Sequence, residues 1–467
     1  MNLLKNQKAC IITLEEVILM KLERKIYDKL LSWKNENGKT ALLIEGARRV
    51  GKSTVVEAFA KKEYKSYILI DFSIASDEVK SLFKKYASNL DDFFFFLTSI
   101  TGITLYERQS LIVFDEVQLF PQARQLIKHL VNDNRYDYIE TGSLLSIKRN
   151  VESILIPSEE RAIKMYPLDF EEFCVALGRG DVIPIIKKHF ETLKPLGAIH
   201  STIMKLFRQY LLIGGMPQAV MEFLNTNDYT KVDRIKRDIL KLYKNDISKY
   251  AKGYEHKVLS IFDEIPSQLS KHEKKFMLSS LSKDARFRDY EDAFTWLDEA
   301  MITNACFNAS DPNFGLSLNR DRLTLKMYMA DTGLLLSQAF SENDEMHQEV
   351  AKAIIQDRLE VNNGMIFENI VAQMFTALNK KLYFYSRADN QNRSNTMEID
   401  FLIIDQSKPT KISPVEVKSG KNYTTSSLDK FGKKFKDKLG KKYIIHTKDL
   451  TQKDDVIYLP VYMTMFL

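Results

Sequence analysis

The segment at residues 46–53 constrains this chain more tightly than any other. It reads GARRVGKS, follows an apolar run at 41–44, and precedes residues 54–62, whose apolar spacing is that of a helix. A glycine-rich loop between a buried strand and a helix N-terminus turns backbone N–H groups towards a phosphate. Lys52 adds a positive charge at the terminal phosphates, and the Ser53 hydroxyl is a ligand for Mg²⁺. The segment therefore predicts a P-loop that binds ATP and Mg²⁺, rather than a chance match in a surface loop.

A second apolar run ends in two acidic residues. Residues 111–114 (LIVF) are followed directly by Asp115 and Glu116. At the carboxyl end of a strand, Asp115 would hold the metal together with Ser53, and Glu116 would polarise the attacking water. The alternative is that the two acids only begin the next helix. Since they accompany a P-loop, we predict that Lys52 and Glu116 are catalytic residues of nucleotide hydrolysis.

Hydroxyls and arginines are candidates for contact with the γ-phosphate. Thr141 and Ser143 follow the next strand-like run, where they either sense the phosphate or form a plain turn. Phosphoryl transfer also needs a cation, for which Arg161 is the first candidate and Arg48 and Arg49 are others. A solvated surface arginine is the competing interpretation of each. The complete set predicted to bind the nucleotide is Gly46, Ala47, Arg48, Arg49, Val50, Gly51, Lys52, Ser53, Thr54, Asp115 and Ser143.

The alternation of apolar runs divides the chain into regions. Short strands alternating with helices in the first third predict a parallel sheet covered on both faces. The pattern then becomes helical, and residues 285–331 resemble a small helix-turn-helix or winged-helix unit. After residue 363 a helix precedes strands predicted at 382–385, 398–404 and 414–417. We therefore predict an α/β chain with a tail at 1–19 and domains at 20–175, 176–345 and 346–467.

Composition excludes several classes of protein. Cys10, Cys174 and Cys306 lie far apart, so neither a disulfide framework nor a zinc site is expected, and a reducing cytosol fits best. No apolar run approaches the roughly twenty residues that cross a bilayer, and the first residues lack the features of a secretory signal. We therefore expect a cytoplasmic protein without a membrane partner. The net charge of +6 permits a nucleic-acid partner without requiring one.

Carboxylates and a lysine lie near the ends of the predicted C-terminal strands. Asp400 is embedded in MEIDFL, and Glu416 and Lys418 belong to PVEVK. Adjacent strands would bring these side chains together, and Glu368 would join them from the preceding helix. Two carboxylates can hold Mg²⁺ against a phosphodiester while the lysine orients water. A solvated strand edge is the alternative, but an unpaired acid among apolar neighbours is costly.

These residues complete the predicted sites. The predicted C-terminal catalytic residues are Asp400, Glu416 and Lys418. The predicted metal ligands of the chain are Ser53, Asp115, Glu368, Asp400, Glu416. A lysine-rich stretch with Tyr423 and Phe431 interleaved either follows a DNA backbone or forms a solvated helix face. Its lysines are Lys418, Lys421, Lys430, Lys433, Lys434, Lys436, Lys438, Lys441 and Lys442.

Several segments together resemble a known family. GARRVGKST, LIVFDEVQ, ETGSLL and KMYPLDFEEF are similar to segments of prokaryotic AAA+ superfamily ATPases. YLLIGGMP and KMYMADTGL resemble the YxxxGGxP and YxxDxGL elements of the group in which an AAA domain precedes a DUF4143 domain. That group often has a glycine ahead of the Arg161 region, where this chain has Ser158. The helix–strand–strand order around Asp400, Glu416 and Lys418 resembles the PD-(D/E)xK nuclease fold.

The resemblance implies a fold and a function. The implied fold is an AAA+ P-loop domain with a parallel sheet, a helical and winged-helix-like middle domain, and a restriction-endonuclease-like α/β C-terminal domain. We expect an ATP-hydrolysing protein that acts on or with nucleic acid, DNA being favoured, through its nuclease-like domain. The alternative is a regulatory or scaffolding ATPase whose nuclease-like domain only binds protein or DNA. A small-molecule kinase is disfavoured by the acidic pair, and a homo-oligomer and a protein partner stay open.

Overall fold

The computed structural model describes residues 22–142, 158–271, 273, 275–340, 344–358, 363–387, 396–420 and 423–467. The predicted tail at 1–19 lies outside these residues. The chain divides into two compact units: the first is Met1–Gly46 with Gly51–Met165, and the second is Ala47–Val50 with Tyr166–Leu467. In the described ranges, no helix combines the length and the apolar character that a membrane span requires.

A parallel sheet forms the centre of the first unit. Its strands are β1 (Ala41–Glu45), β2 (Ser66–Asp71), β3 (Ser110–Asp115), β4 (Asp137–Gly142) and β5 (Glu160–Lys164). They lie in the order β2-β3-β4-β1-β5, all parallel. β1, β3 and β4 are buried along their whole length, as central strands of a helix-covered sheet are. The carboxyl ends of these three strands are therefore neighbours, which is where α/β sheets bind ligands.

Aromatic residues dominate the packing of helices against this sheet. The helices are α1 (Ile26–Lys34), α2 (Lys52–Glu63), α3 (Asp77–Lys85), α4 (Leu90–Thr101) and α5 (Pro121–Asp133). In α4, Phe93, Phe94 and Leu97 are buried, but Phe95 is 64% exposed. The four successive phenylalanines at 93–96 therefore do not share one buried face. Successive residues of an α-helix point about 100° apart, so four in a row cannot share one face.

The second unit begins with a helical region and ends with two sheets. Its helices are α6 (Phe170–Ala176), α7 (Val182–Thr192), α8 (Ala198–Ile213), α9 (Pro217–Thr226), α10 (Tyr229–Tyr250), α11 (Glu255–Ser270), α12 (Glu291–Glu299), α13 (Thr332–Ala339), α14 (Asp344–Ile355), α15 (Asn363–Ala377) and α16 (Ser426–Lys434). Its strands are β6 (Thr303–Ala309), β7 (Arg320–Met329), β8 (Leu382–Arg387), β9 (Met397–Ile399), β10 (Phe401–Ile404), β11 (Ile412–Val417), β12 (Lys442–His446), β13 (Thr451–Lys453) and β14 (Val456–Pro460).

These strands form a four-stranded sheet, in the order β7-β6-β8-β9, and a five-stranded sheet, in the order β10-β11-β12-β14-β13. β6 pairs with β7 antiparallel, as a winged-helix hairpin would, but also with β8 in parallel. One sheet therefore joins strands from both sides of the boundary predicted between residues 345 and 346. The single strand predicted at 398–404 is wrong, because the chain leaves one sheet at Ile399 and enters the other at Phe401.

Two glycine-containing motifs of the second unit meet at a buried aspartate. Asp331 is fully buried, and its carboxylate accepts hydrogen bonds from the backbone N–H of Gly215 at 2.6 Å and of Leu334 at 2.9 Å. Lys236, also fully buried, donates to backbone carbonyls of the same two segments, and burial lowers the pKa of Lys236 to about 8. The segments at 210–217 and 326–334 therefore have a structural role here, as a junction that satisfies its own buried polar groups.

The predicted fold class is confirmed. The chain is α/β, with a five-stranded parallel sheet of the P-loop type, a helical middle region and a mixed-sheet C-terminal region.

Candidate functional site

The P-loop connects β1 to α2. β1 ends at Glu45, and α2 begins at Lys52 directly after Gly51, whose φ of 93° is left-handed. Arg49 is also left-handed, with φ of 70°. Alternating left-handed residues turn successive N–H groups to one side, as in an anion-binding nest. The Lys52 ammonium is buried and donates to the Gly46 carbonyl oxygen at 2.9 Å, so the lysine lies along the loop.

Asp115 connects the P-loop to the ends of two central strands. Its Oδ1 accepts a hydrogen bond from the Ser53 hydroxyl at 2.9 Å and another from the Glu116 N–H at 3.1 Å. The Thr141 hydroxyl, from the end of β4, donates to the same oxygen. The structure thus brings together Ser53, Asp115 and Thr141. Ser143, predicted to bind nucleotide beside Thr141, lies outside the described residues.

The oxygen atoms of Ser53 and Asp115 fit a magnesium ion. A hydroxyl and a carboxylate are the hard oxygen ligands that Mg²⁺ uses, and it commonly takes only one or two protein ligands beside substrate phosphates and water. The two side chains are in hydrogen-bonding contact, and Asp115 is only 7% exposed. Their position at the start of α2 and the end of β3 is the one predicted from the sequence.

Glu116 is held in an unusual backbone conformation. Its φ of 52° is left-handed, which is uncommon for a residue with a Cβ and is found at functional sites. The buried side chain of Gln118 donates to Oε2 of Glu116 and orients the carboxylate. Sequence reasoning missed Gln118, since nothing in VQL distinguishes a positioning amide from an ordinary polar residue.

Two of the three candidate arginines form ion pairs with acidic side chains. Arg161 pairs in register with Leu42, near the amino end of β1, and its guanidinium forms an ion pair with Glu36 at 2.9 Å. The P-loop lies at the opposite, carboxyl end of that strand, so Arg161 is not brought to it. Arg48 forms an ion pair with Asp246 at 2.6 Å. An arginine contact to the γ-phosphate therefore remains a prediction.

A buried charged group under the sheet was also missed. Arg124 of α5 binds Glu160 of β5 through two hydrogen bonds, at 2.6 and 2.7 Å. Glu140 of β4 is fully buried beside them, and burial together with the neighbouring Glu160 carboxylate raises the pKa of Glu140 well above its usual range. The only sequence signal is an acid directly after two large hydrophobic residues of the strand, Tyr138 and Ile139.

The predicted C-terminal residues converge. Asp400 lies at the break between β9 and β10, and its Oδ2 accepts the N–H of Val417 at 2.8 Å. Glu416 is buried and forms an ion pair with Lys418 at 2.6 Å. Burial and the Glu368 carboxylate raise the pKa of Asp400 to about 7, although lysines nearby oppose the shift. The antiparallel pairing of β10 with β11 explains the convergence.

Glu368 has partners that the sequence did not indicate. Its Oε2 lies 3.6 Å from the Lys326 ammonium and accepts a hydrogen bond from the Tyr328 hydroxyl at 3.2 Å. Lys326 also binds Glu398 at 3.0 Å. Among the described residues no three His, Cys, Asp or Glu side chains are grouped so that they could hold a metal. Glu368, Asp400 and Glu416 therefore do not form the three-carboxylate metal site that the sequence predicted.

The lysine-rich stretch is partly used for internal packing. Lys438 pairs with Asp311 at 2.8 Å, Lys442 pairs with Asp455 at 2.6 Å, and Lys430 donates to a backbone carbonyl. Lys421 lies outside the described residues. The exposed members are Lys433, Lys434, Lys436 and Lys441. Among the described lysines of this stretch, these four are the most accessible to solvent or to a phosphate backbone.

Family models match three segments of the chain. Residues 38–174 match the AAA_14 family, described as an AAA domain, and residues 363–463 match DUF4143, a domain of unknown function. The predicted AAA domain and DUF4143 domain are thereby confirmed. Residues 204–345 match a second domain of unknown function, DUF8612, which sequence reasoning did not anticipate. No curated protein sequence matches the chain significantly.

Solved structures with a similar arrangement are distant. The Aeropyrum pernix Orc1 protein, solved in complex with DNA, is 10% identical, with a TM-score of 0.27 over 72% of this chain and 95% of its own. Cdc6p from Pyrobaculum aerophilum is 12% identical, with a TM-score of 0.23 over 75% and 96%. PCH-2 of C. elegans is 12% identical, with a TM-score of 0.22 over 38% and 50%. These TM-scores are too low for the structures to support an argument here.

Proposed function

We propose that the first unit binds ATP and hydrolyses it. The observation that supports this most directly is the hydrogen bond from Ser53 to Asp115, which joins the P-loop hydroxyl to the acidic end of β3. A phosphate-binding loop alone serves kinases and binding proteins as well. The adjoining Glu116, held by Gln118, supplies the group that hydrolysis additionally needs.

Each residue has a separate task in this proposal. The N–H groups of the loop and the Lys52 ammonium hold the terminal phosphates, and Ser53 and Asp115 would hold Mg²⁺. The bound metal would neutralise charge on the phosphate oxygens. Glu116 accepts a hydrogen bond from the attacking water and orients it in line with the γ-phosphate, while Thr141 keeps the Asp115 carboxylate in place.

A lysine substitution tests the binding half of the proposal. In Lys52→Ala the loop loses its positive charge, so nucleotide affinity and turnover should both fall at least tenfold. Lys62→Ala is the matched control, because Lys62 lies on the same helix with an exposed side chain. Unchanged ATP turnover in Lys52→Ala would show that hydrolysis occurs at another site.

We further propose that the C-terminal region acts on nucleic acid through a PD-(D/E)xK-like site. The convergence of Asp400, Glu416 and Lys418 at adjoining strand ends supports it. Mg²⁺ needs only one or two carboxylates where a substrate phosphate completes its ligands, so Asp400 and Glu416 fit one ion. Lys418 would orient the attacking water. The alternative is a module that binds DNA or protein without cutting it. Such a module would use the exposed lysines Lys433, Lys434, Lys436 and Lys441.

Cleavage and binding assays separate these alternatives. Wild-type protein with Mg²⁺ or Mn²⁺ should nick DNA, whereas Asp400→Ala and Lys418→Ala should not, and the exposed Lys453→Ala should retain activity. If wild type binds DNA in a salt-sensitive manner but does not cut it, the binding module is the correct function. Absence of both would leave a protein partner as the remaining function.

A further inference from the structure

We propose that the connection between β6 and β7 contacts unpaired bases of DNA. This connection, residues 310–319, is named the hairpin tip. Its exposed apolar side chains would stack on a base, and the cations beside it would bind the phosphates. The inference rests on the proposed action of the C-terminal region on nucleic acid, and it deepens that proposal by naming the form of DNA that the region takes.

Two large apolar side chains of the hairpin tip are open to solvent. Phe314 is 57% exposed and Leu318 is 86% exposed. In the part of the chain that the structure describes, nine large apolar side chains are exposed, and Leu323 of β7 is the third of them on this one hairpin. Single exposed apolar residues are common on protein surfaces, whereas a group of them indicates a contact surface.

The backbone of the tip holds these side chains at the surface in a fixed conformation. Gly315 has φ of 77°, which is left-handed, and a 3₁₀ turn follows it over Leu316–Asn319. The Ser310 N–H donates to the Asn319 carbonyl oxygen at 2.9 Å and closes the connection. Leu316 is only 4% exposed. The buried leucine therefore anchors a turn whose other two large apolar side chains remain in solvent.

The tip lies beside the lysine-rich stretch. Leu316 belongs to the hydrophobic cluster that contains Leu428 and Phe431 of α16. Asp311 forms an ion pair at 2.8 Å with Lys438, from which 127 positions of sequence separate it. The fold therefore places the exposed apolar side chains of the tip close to the lysines of α16 and the residues after it.

This surface is also continuous with the proposed C-terminal site. α16 packs against β9, which ends directly before Asp400. Lys430 of α16 donates to the backbone carbonyl of Thr396, at the beginning of the same strand. One helix thus contacts both the hairpin tip and the strand that leads to the proposed site, so a single DNA molecule can reach both.

Positive charge predominates beside the tip. Residues 310–322 and 426–441 contain eight lysine and arginine side chains and four aspartates, a net charge of +4. Arg320 and Arg322 are exposed on β7, and the Arg320 guanidinium lies 4.6 Å from the centre of the Phe307 ring. The exposed lysines of α16 and the residues after it add to this charge. The surface is therefore complementary to an anionic partner.

Apolar and cationic groups at one place fit DNA whose bases are accessible. Cations bind the phosphate backbone whatever its sequence, and an exposed aromatic ring stacks on a base. Apolar side chains also enter between bases that have lost their stacking. Because the bases of a perfect duplex are covered by their neighbours, the tip should favour DNA that contains unpaired bases.

Two fluorescently labelled DNA probes test the proposal with the full-length, nucleotide-free chain. Both are duplexes of the same length and the same outer sequence, and one of them has a central bubble of unpaired bases. Fluorescence anisotropy in the presence of EDTA, which prevents cleavage, gives the two dissociation constants. The wild type should bind the bubble about tenfold more tightly than the perfect duplex. The double variant Phe314→Ala/Leu318→Ala should lose this preference and retain its affinity for the perfect duplex.

Two further variants separate stacking from charge. The matched control is Ile74→Ala/Phe95→Ala, because these side chains are 83% and 64% exposed in the first unit, and it should retain the preference for the bubble. Arg322→Ala should weaken binding to both probes equally and lower the slope of log affinity against log salt by about one. An unchanged slope would overturn the assignment of the phosphates to this surface.

The outcomes distinguish this proposal from the one on which it rests. If the wild type binds DNA without preferring the bubble, or if Phe314→Ala/Leu318→Ala keeps the preference, the hairpin tip does not contact bases, and the nucleic-acid role of the C-terminal region still stands. If the wild type binds neither probe, both proposals are refuted, and the surface belongs to a protein partner. The exposed positions of both side chains predict that the double variant folds, and its circular dichroism spectrum should match that of the wild type.

Discussion

Adding one methyl group at Gly214 should destabilise the second unit strongly. Gly214 has φ of 81° and ψ of −175°, a conformation that is essentially restricted to glycine. A Cβ there would lie well inside van der Waals contact with Oδ1 of Asp331. That carboxylate is fully buried and accepts the N–H groups of Gly215 and Leu334. The methyl group therefore forces either the strained backbone or the buried acceptor to move.

The loss of stability in Gly214→Ala has two contributions, the strained backbone and the displaced Asp331 carboxylate. Placing an L-residue in this backbone region costs about 1–3 kcal/mol. Displacing a buried acceptor from its donors costs about 1–3 kcal/mol more. The sum is about 4 kcal/mol, near the upper end of single substitutions. At roughly 2 °C per kcal/mol for a unit of this size, the thermal midpoint should fall by roughly 8 °C.

Gly178→Ala is the control for backbone strain alone. Gly178 also has a positive φ, 69°, but a Cβ there would meet nothing within 4 Å. Its cost should be only about 1–2 kcal/mol, or roughly 2–4 °C. Thermal unfolding followed by circular dichroism would compare the two variants. Midpoints that agree within about 1 °C would refute the argument that Asp331 is a fixed junction.

Three further predictions concern five substitutions. The folded state keeps Glu140 protonated above its ordinary pKa of 4.5, so the stability of the protein falls as pH rises above that value. Glu140→Gln should therefore raise the thermal midpoint at pH 8 and change it little at pH 4. An equal shift at the two pH values would contradict the raised pKa. Lys438→Ala should lower the thermal midpoint, because the ion pair with Asp311 is lost. Lys433→Ala, at an exposed position, should leave the midpoint unchanged and lower only the affinity for DNA, measured in a salt titration. Phe93→Ala should lower the free energy of unfolding, measured by chemical denaturation, by about 3–5 kcal/mol. Phe95→Ala, at a position that is 64% exposed, should lower it by less than about 1 kcal/mol. Similar losses in the two variants would mean that α4 is misplaced.

The sequence predicts local features of the nucleotide site well. Glycine spacing, apolar strands and the acidic residue at the end of β3 are all encoded within a few neighbouring positions, so the sequence alone locates the P-loop and Asp115. The hydrogen bond from Thr141 to Asp115 depends on the strand order β3-β4-β1, which puts the ends of these strands side by side. That order is a property of the sheet and not of any one segment.

Long-range pairing limited prediction of the C-terminal site. The motif residues Asp400, Glu416 and Lys418 lie close in sequence and converge as expected. Lys326 joins them only because β6 pairs with β7 on one side and β8 on the other, across more than fifty residues of chain. The sequence predicts that Lys438 either follows a DNA backbone or lies on a solvated helix face, and it does not indicate the ion pair that this lysine forms. Its partner Asp311 comes from a distant loop, which no local pattern indicates.

The roles of Glu116 and Arg161 show two different limits of prediction from the sequence. The acidic pair was predicted from its position, but the left-handed backbone that aims Glu116 was not, because any residue type can be forced into it by surrounding contacts. Arg161 was proposed because it follows β4 by a loop. In a parallel sheet the chain re-enters at the amino end of the next strand, so the residue lies far from the phosphate loop.

ATP turnover by Glu116→Gln, measured beside nucleotide affinity, tests the central claim most directly. The substitution retains the size of the side chain but removes the carboxylate that orients water. Affinity for ATP should stay within a few-fold of wild type, while turnover should fall roughly 10²–10⁴-fold. Exposed Glu78→Gln in the same unit is the control and should change neither quantity. Turnover by Glu116→Gln at the wild-type rate would contradict a hydrolytic site built from the P-loop, Asp115 and Glu116.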